Sequence, residues 1–355
     1  MRILYFGDAL SIHTRRWVTY FANNGCYVAI VSNRGASFNG IAVFNIADVR
    51  YPRKLLEIRR LIDKFKPEII HSHYITSYGF WGALSGFHPF VLTGWGSDIL
   101  VTPRRSWLLR QITRFTLRKA DLITADAKNM ISEIETLSGI KKNTQLIQWG
   151  VDLAQFNREG REAMRSRLGW SGKFVFLSTR SLEENYNVSA IISAFTLGAA
   201  QLPDAVLVII GEGHQKSSLQ QQAKKSGLGN RILFAGAIPY QDISCYYKAA
   251  DIYLTIPSSD ATSMSLLEAM ACGLPVIASD IPANHEWVNE GIGGYFVKPG
   301  DIQGIADRID VLYHNSEKRS LCVTTNQAVV KARANHQSEM ERMMNLYRKV
   351  LSESK

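Results

Sequence analysis

Short apolar runs alternate with amphipathic stretches from one end of the 355-residue chain to the other. This is the rhythm of parallel sheets whose strands are joined by crossover helices. In the first half "RILYFG", "YVAIVS", "IAVFNI", "PEIIHSHY", "PFVLTG", "DLITAD" and "TQLIQWG" predict strands, with helices between them such as Arg15–Asn23 and Pro52–Phe65. The second half restarts the rhythm with "FVFLSTR", "AVLVIIGEG", "RILFAGA", "IYLTIP", "PVIASD" and "GYFVKP". A polar, basic, glycine-bounded join lies at Trp149–Lys173, and Gln337–Ser352 predicts a final helix. The expected architecture is α/β, with two doubly wound domains in tandem over residues 1–160 and 170–336. Residues 337–355 are expected to form a helix that packs back toward the first domain. Ligands of such sheets bind beyond the carboxyl ends of the strands, so a cleft between the domains is expected.

Composition sharpens this in three ways. A chain 46% hydrophobic and 20% charged has the make-up of a globular protein. No uncharged apolar run reaches the roughly 18 residues that span a bilayer, and "MRILYFGDAL" reads as a first strand, not a leader. The four cysteines (Cys26, Cys245, Cys272, Cys322) lack CxxC spacing, which fits free thiols in a reducing, cytoplasmic compartment. The net charge of +10 is uneven: residues 1–170 hold 24 Lys/Arg against 13 Asp/Glu, and the rest 17 against 18. The first half is therefore expected to meet an anionic partner, namely a membrane leaflet, a nucleic acid or a phosphorylated substrate.

Two common nucleotide signatures are absent, the GxxxxGK[ST] loop and a GxGxxG joining strand to helix. There is no Asp-x-Asp and no His/Cys cluster of zinc spacing, so no metal is expected. The strongest chemistry lies in "SDATSMSLLEAMACGLPVIASD", residues 259–280. Here the "IYLTI" strand ends and a helix begins near Ser263, which presents free N–H groups and a dipole suited to a diphosphate. Glu268, one turn in, could reach ribose hydroxyls, and Asp260 could face a sugar. The alternative is that Asp260 or Ser263 only caps the helix and Glu268 is a solvated first-turn acid.

This segment resembles the signature of the retaining glycosyltransferases of family 4, in which two carboxylates separated by seven residues face a nucleotide sugar. Other pieces resemble that family in its order: "HSHY" (His71, His73), "TGWGSDIL" with Asp98, "KADLITAD", "WGVDLAQF", "STRSLEENYN", "IIGEG" and "RILFAGAIPYQDISCYYKAADIYL". The resemblance implies a GT-B fold of two Rossmann-like domains, with the donor held mainly by the second and the acceptor by the first. It implies that Arg180 ion-pairs with the donor diphosphate and that Glu268 holds the ribose. Thr262, Ser263 and Met264 would contact the phosphate and donor sugar, with Gly211, Gly213, Gly236 and Ile238 at turns near the nucleotide. Gly7 to Arg16 stands where the family has a loop approaching the phosphates.

Three departures stand out. Asn185 takes the place of a lysine, so the diphosphate charge falls to Arg180, helix amides, or Arg15 or Arg16. Trp95 takes the place of a histidine, leaving His13, His71 or His73 to fill its role. Asp260 replaces Glu, which leaves the donor sugar open. The catalytic set implied is Asp260, Arg180 and His13, with Asp260 not assigned as a nucleophile. Gly7, Arg15, Arg16, His73, Trp95 and Asp98 would line the acceptor or phosphate side. The reaction implied is metal-independent transfer, with retention, of a hexose or N-acetylhexosamine from a nucleoside-diphosphate sugar, uridine being the expected base. The nucleotide sugar is a co-substrate and no cofactor is expected. Lipid-linked glycan or polysaccharide is the expected acceptor. The alternatives are another GT-B enzyme, such as a non-hydrolysing sugar-nucleotide epimerase or a phosphorylase, and a basic nucleic-acid binder. The last has no recognised motif behind it, so no nucleic acid is expected.

"TPRRSWLLRQITRFTLRK" carries six Lys/Arg and no acid. As one helix it aligns Arg110, Arg114 and Arg118, with Leu108, Ile112 and Phe115 on a neighbouring face. With Arg104 and Arg105, this form suits an anionic membrane surface at the inner face of the cell membrane. The competing expectation is an ordinary domain helix with solvated arginines.

Overall fold

The computed structural model describes residues 1–141, 143–198 and 201–354, with Tyr51 and Pro52 described by their backbone alone. Lys355, the end of the expected 337–355 element, lies outside the described residues. The chain divides into two compact units, Met1–Trp149 with Gln337–Lys355, and Gly150–His336.

The first unit is built on a seven-stranded parallel sheet of β1 (Arg2–Phe6), β2 (Tyr27–Ser32), β3 (Ala42–Asn45), β4 (Ile69–His73), β5 (Phe90–Thr93), β6 (Leu122–Ala125) and β7 (Thr144–Leu146). Their order is β3-β2-β1-β4-β5-β6-β7. Ile3 sits opposite Val28 on one side and Ile69 on the other, so the sheet is apolar at this level, as covered parallel sheets favour, while β4 ends in the buried polar residues His71, Ser72 and His73. The helix His336–Glu353 buries Met340, Met343, Met344, Tyr347 and Val350. The Tyr347 hydroxyl lies 3.1 Å from that of Tyr5 and also meets His71 Nδ1, which ties the chain's last helix to β1 and β4.

The second unit carries six parallel strands, β8 (Phe174–Ser178), β9 (Ala205–Ile210), β10 (Ile232–Gly236), β11 (Ile252–Thr255), β12 (Val276–Ser279) and β13 (Gly294–Val297), in the order β10-β9-β8-β11-β12-β13. Residues 150–160, expected with the first half, belong here. Val151 bridges Asn335, Phe156 is fully buried in this unit's core, and just beyond them Arg165 donates to the Ala249 carbonyl at 2.6 Å. The basic segment also differs from expectation. It forms two helices, Thr102–Arg105 and Trp107–Lys119, broken at Ser106, whose extended backbone and hydroxyl cap the second. That helix packs inward through Thr113, Thr116 and Leu117, with Phe115 half-buried against Phe80, Ile112 half-buried and Leu108 exposed.

Candidate functional site

In an open parallel sheet, a crevice opens where the strand order reverses. In the second unit that point lies between β8 and β11, and the loops leaving those strands carry Arg180 and Asp260. Arg180 Nη2 donates to Asp260 Oδ2 at 2.7 Å. Its Nη1 donates to Ser265 Oγ at 2.9 Å and also to Ser263 Oγ. The guanidinium carbon lies 4.3 Å from the centroid of the Tyr186 ring. Burial works to lower the pKa of Arg180, but the Asp260 charge and the neighbouring tyrosines outweigh it and raise it.

Ser263 caps the helix Met264–Ala271, its Oγ accepting from Leu266 N at 3.4 Å. Glu268 is 5% exposed, so it is not the solvated acid that simple capping would leave. Thr262 is buried, and Met264 is half-buried against the unit's core. Asn185 is spent on the loop after β11: its Nδ2 donates to the Ser259 carbonyl at 2.9 Å, while its Oδ1 and carbonyl accept from Ser259 N and Ser258 N. Asn187 adds a donation to the Ile256 carbonyl at 2.9 Å.

Gly211 has φ +144, and a Cβ there would run into the Arg180 carbonyl. Gly213 is equally close to the Leu182 carbonyl. The loops after β8 and β9 therefore touch through backbone, which leaves no room for a side chain. Gly211 N donates to the Gly236 carbonyl at 2.9 Å, and Ile238 packs at the edge of the core.

The equivalent reversal in the first unit lies between β1 and β4. Gly7 leaves β1 there, against Thr14 and His73. Arg15 is turned to its own loop, donating to the Ala9 carbonyl at 2.7 Å and lying over the Phe38 ring. Arg16 opposes the charged form of the adjacent His13. His13, His73, Trp17, Trp95 and Trp149 form one cluster of ring contacts, with Trp95 and Trp149 centroids 5.1 Å apart. Burial, reinforced by Arg16, brings His13 down to about 4. Burial, reinforced by His13, brings His73 down to about 3. Both rings are neutral at pH 7, and His13 Nδ1, His73 Nε2 and Trp95 Nε1 are buried with no hydrogen-bond partner among the described residues.

Asp98 accepts from the Ile75 and Trp95 amides at 2.7 and 2.9 Å and so shapes the turn after β5. Burial raises its pKa to about 6 even though those amides favour the charge. In the basic segment Arg104 pairs with Glu133 at 3.5 Å. Arg118 Nε donates to the Ser138 carbonyl at 2.8 Å. Arg105 and Arg110 are exposed, and Arg114 is half-buried beside Gly139. Trp107 and Leu108, at the break, are 74% and 61% exposed.

The structure thus brings Arg180, Asp260, Ser263 and Glu268 to one unit, and places His13, His73, Trp95 and Asp98 in the other. The family described as Glycosyl transferases group 1 matches residues 160–328, and the family described as Glycosyl transferase 4-like matches residues 2–127. The chain belongs to the group 1 glycosyltransferases. N-acetyl-alpha-D-glucosaminyl L-malate synthase of Bacillus anthracis is 24% identical over 70% of this chain and 66% of its own length. Alpha-monoglucosyldiacylglycerol synthase of Streptococcus pneumoniae is 29% identical over 46% of this chain and 39% of its own. The matched stretch is therefore less than two thirds of either relative. The Anabaena protein HepE, solved in complex with UDP, superposes with a TM-score of 0.85 at 18% identity, covering 98% of this chain and 100% of its own. That likeness shows the fold, which is GT-B. In this group 1 glycosyltransferase the sequence reading missed Ser265 and Tyr186, which hold Arg180. Ser265 stood in the quoted motif two residues past Ser263, and Tyr186 next to Asn185, but no periodicity marks either.

Proposed function

We propose that the chain is a retaining, metal-independent glycosyltransferase that moves a hexose or N-acetylhexosamine from a nucleoside-diphosphate sugar, with uridine the favoured base, to a lipid-linked or polysaccharide acceptor. The observation that carries this is Arg180, held by Ser263 and Ser265 at the start of a helix and at the point where the strand order reverses. A guanidinium fork beside free helix amides suits a leaving diphosphate. On this reading the anomeric C–O bond to the diphosphate breaks while the acceptor oxygen bonds the same face. The acceptor proton passes to a leaving phosphate oxygen, and charge stabilisation does the work a protein nucleophile would otherwise do. Glu268 takes the ribose hydroxyls, Asp260 the sugar, and His13 contributes a neutral hydrogen-bonding ring. The complexes of the Anabaena neighbour with UDP and UDP-glucose support the choice of base, and the pneumococcal relative's glycolipid name supports a lipid acceptor.

The test is a panel of UDP-, GDP- and ADP-sugars offered with a lipid-pyrophosphate sugar acceptor, read by mass spectrometry, with the anomeric outcome read by NMR. A product with the donor's anomeric configuration, lost in Arg180→Ala, is expected. Epimerised donor without transfer would overturn the reading.

We further propose that the first unit works at the inner face of the cell membrane. None of the described helices is long and apolar enough to cross a bilayer. The exposed Trp107 and Leu108 stand among Arg105 and Arg110, beside a hollow of about 550 Å³ lined by Arg104, Ser106 and Trp107. Aromatic and aliphatic side chains ringed by arginine suit an anionic interface. Co-sedimentation with phosphatidylglycerol vesicles, absent with phosphatidylcholine and weakened in Trp107→Ala and Arg110→Glu, is expected. Equal binding to both vesicle types would refute it.

A further inference from the structure

Arg180 already has an anion. Its Nη2 holds Asp260 Oδ2 at 2.7 Å, and the other carboxylate oxygen accepts from the Ala261 amide at 3.0 Å. Arg180 is 9% exposed and the Asp260 side chain 18%, so water screens this pair little. The pairing is built in by the loops. Asn185 and Asn187 stitch the turn after β8 to residues 256–259 through side-chain bonds of 2.8 to 3.2 Å. That stitching delivers Asp260 to the guanidinium, while Tyr186 closes one face of it. A cation buried this far is costly without a counter-charge, and the same fork accepts a carboxylate or a phosphate. The edge of Arg180 that faces Asp260 cannot serve two anions at once, because they would repel at close range with little screening.

Resting on the reading that Arg180 holds the donor diphosphate, we propose that Asp260 occupies the diphosphate's place on Arg180 in the empty site. An arriving nucleoside diphosphate exchanges for it. The displaced carboxylate is then released beside the bound phosphates as a hydrogen-bond acceptor for hydroxyls of the donor sugar. One residue thus neutralises Arg180, weakens binding of the bare nucleoside diphosphate, and returns the lost affinity to a nucleotide that carries a sugar. Specificity follows from that difference, since only a sugar with hydroxyls placed to meet the released carboxylate recovers it.

The experiment is isothermal titration of the full-length protein with UDP, with GDP in parallel, and with UDP-glucose. Asp260→Asn and Asp260→Ser remove the competing charge and are expected to bind UDP about tenfold more tightly than the unsubstituted protein. Asp260→Glu keeps a carboxylate and is expected to gain less than either. The gain should be smaller for UDP-glucose than for UDP, because the variants lose the contact to the sugar. Arg180→Gln should bind both poorly. If Arg180→Gln weakens UDP while Asp260→Asn and Asp260→Ser bind it equally or less well, the exchange is overturned and the donor site stands. If Arg180→Gln changes nothing for UDP or GDP, the donor site itself falls, and the exchange with it.

Discussion

Acidification from pH 7 to pH 5 should destabilise the first unit through two buried histidines, His13 and His73. His13 and His73 are held down to about 4 and about 3 by burial, from an ordinary value of 6.5. The folded state therefore stays unprotonated at pH 5 while the unfolded chain binds a proton at each ring. Stability present above pH 6.5 is lost as the pH falls toward those depressed values. By linkage each ring forfeits roughly 2 kcal/mol between pH 7 and pH 5. Asp98 acts in the opposite sense. Burial raises it to about 6 from 3.8, so its protonated folded form returns roughly 1 kcal/mol over the same interval. The net expectation from these three groups is a loss of roughly 2–3 kcal/mol. His71, lowered first by burial and then by His73, adds in the same direction. Urea denaturation at pH 7 and pH 5, followed by tryptophan fluorescence, measures it, since Trp17, Trp95 and Trp149 pack on these rings. Other carboxylates titrate too, so the decisive quantity is the comparison with His73→Gln, which should lose roughly 2 kcal/mol of the pH dependence. An unchanged dependence in that variant would refute the reasoning.

Tyr347→Phe should cost about 1–3 kcal/mol by stranding the Tyr5 hydroxyl and His71 Nδ1 in a dry core, seen as a lower urea midpoint and faster amide exchange in the helix His336–Glu353. Gly211→Ala should cost a comparable ~1–3 kcal/mol of backbone strain and weaken any UDP-dependent thermal shift, because its Cβ would push on the Arg180 carbonyl; an unaltered shift and melting temperature would count against that. Asn326→Ala should lower the melting temperature by the equivalent of about 1–3 kcal/mol, since Asn326 Nδ2 donates to the Leu274 and Gly293 carbonyls at 2.7 and 2.8 Å in a fully buried position.

All the strands expected from the sequence are present, and for a physical reason. A strand buried on both faces of a parallel sheet is mostly apolar, and a run such as "AVLVII" between polar stretches has few other fates. Side-chain partners are a different matter. The helix break at Ser106 was legible in principle, because a serine three residues before Leu109 is an N-cap waiting for a helix, yet the arginine spacing on both sides masked it. Arg180 and Asp260 lie 80 positions apart, and nothing local to either announces the other. The depressed histidines depend on which rings the topology places around them, and that emerges only once β1 and β4 lie side by side.

The two departures from the family pattern in the second unit, Asn185 for lysine and Asp260 for glutamate, then read as one arrangement. A lysine at 185 would bring a second cation toward the same anions but has no acceptor, so it could not take the Ser259 amide through a side-chain oxygen. Asparagine both gives and takes hydrogen bonds, and it uses that capacity to fix the loop that ends in Asp260. With the loop fixed, the shorter acid suffices to reach Arg180 at 2.7 Å, where a glutamate's extra methylene would have to fold or overshoot. Loss of one positive charge is thereby matched by a tighter hold on the one that remains. The expected signature is coupling: Asn185→Ala should loosen Asp260 and raise UDP affinity by several-fold, toward the value of Asp260→Asn. In the double variant the two gains should fall short of adding, and full additivity in titration would separate the two positions again.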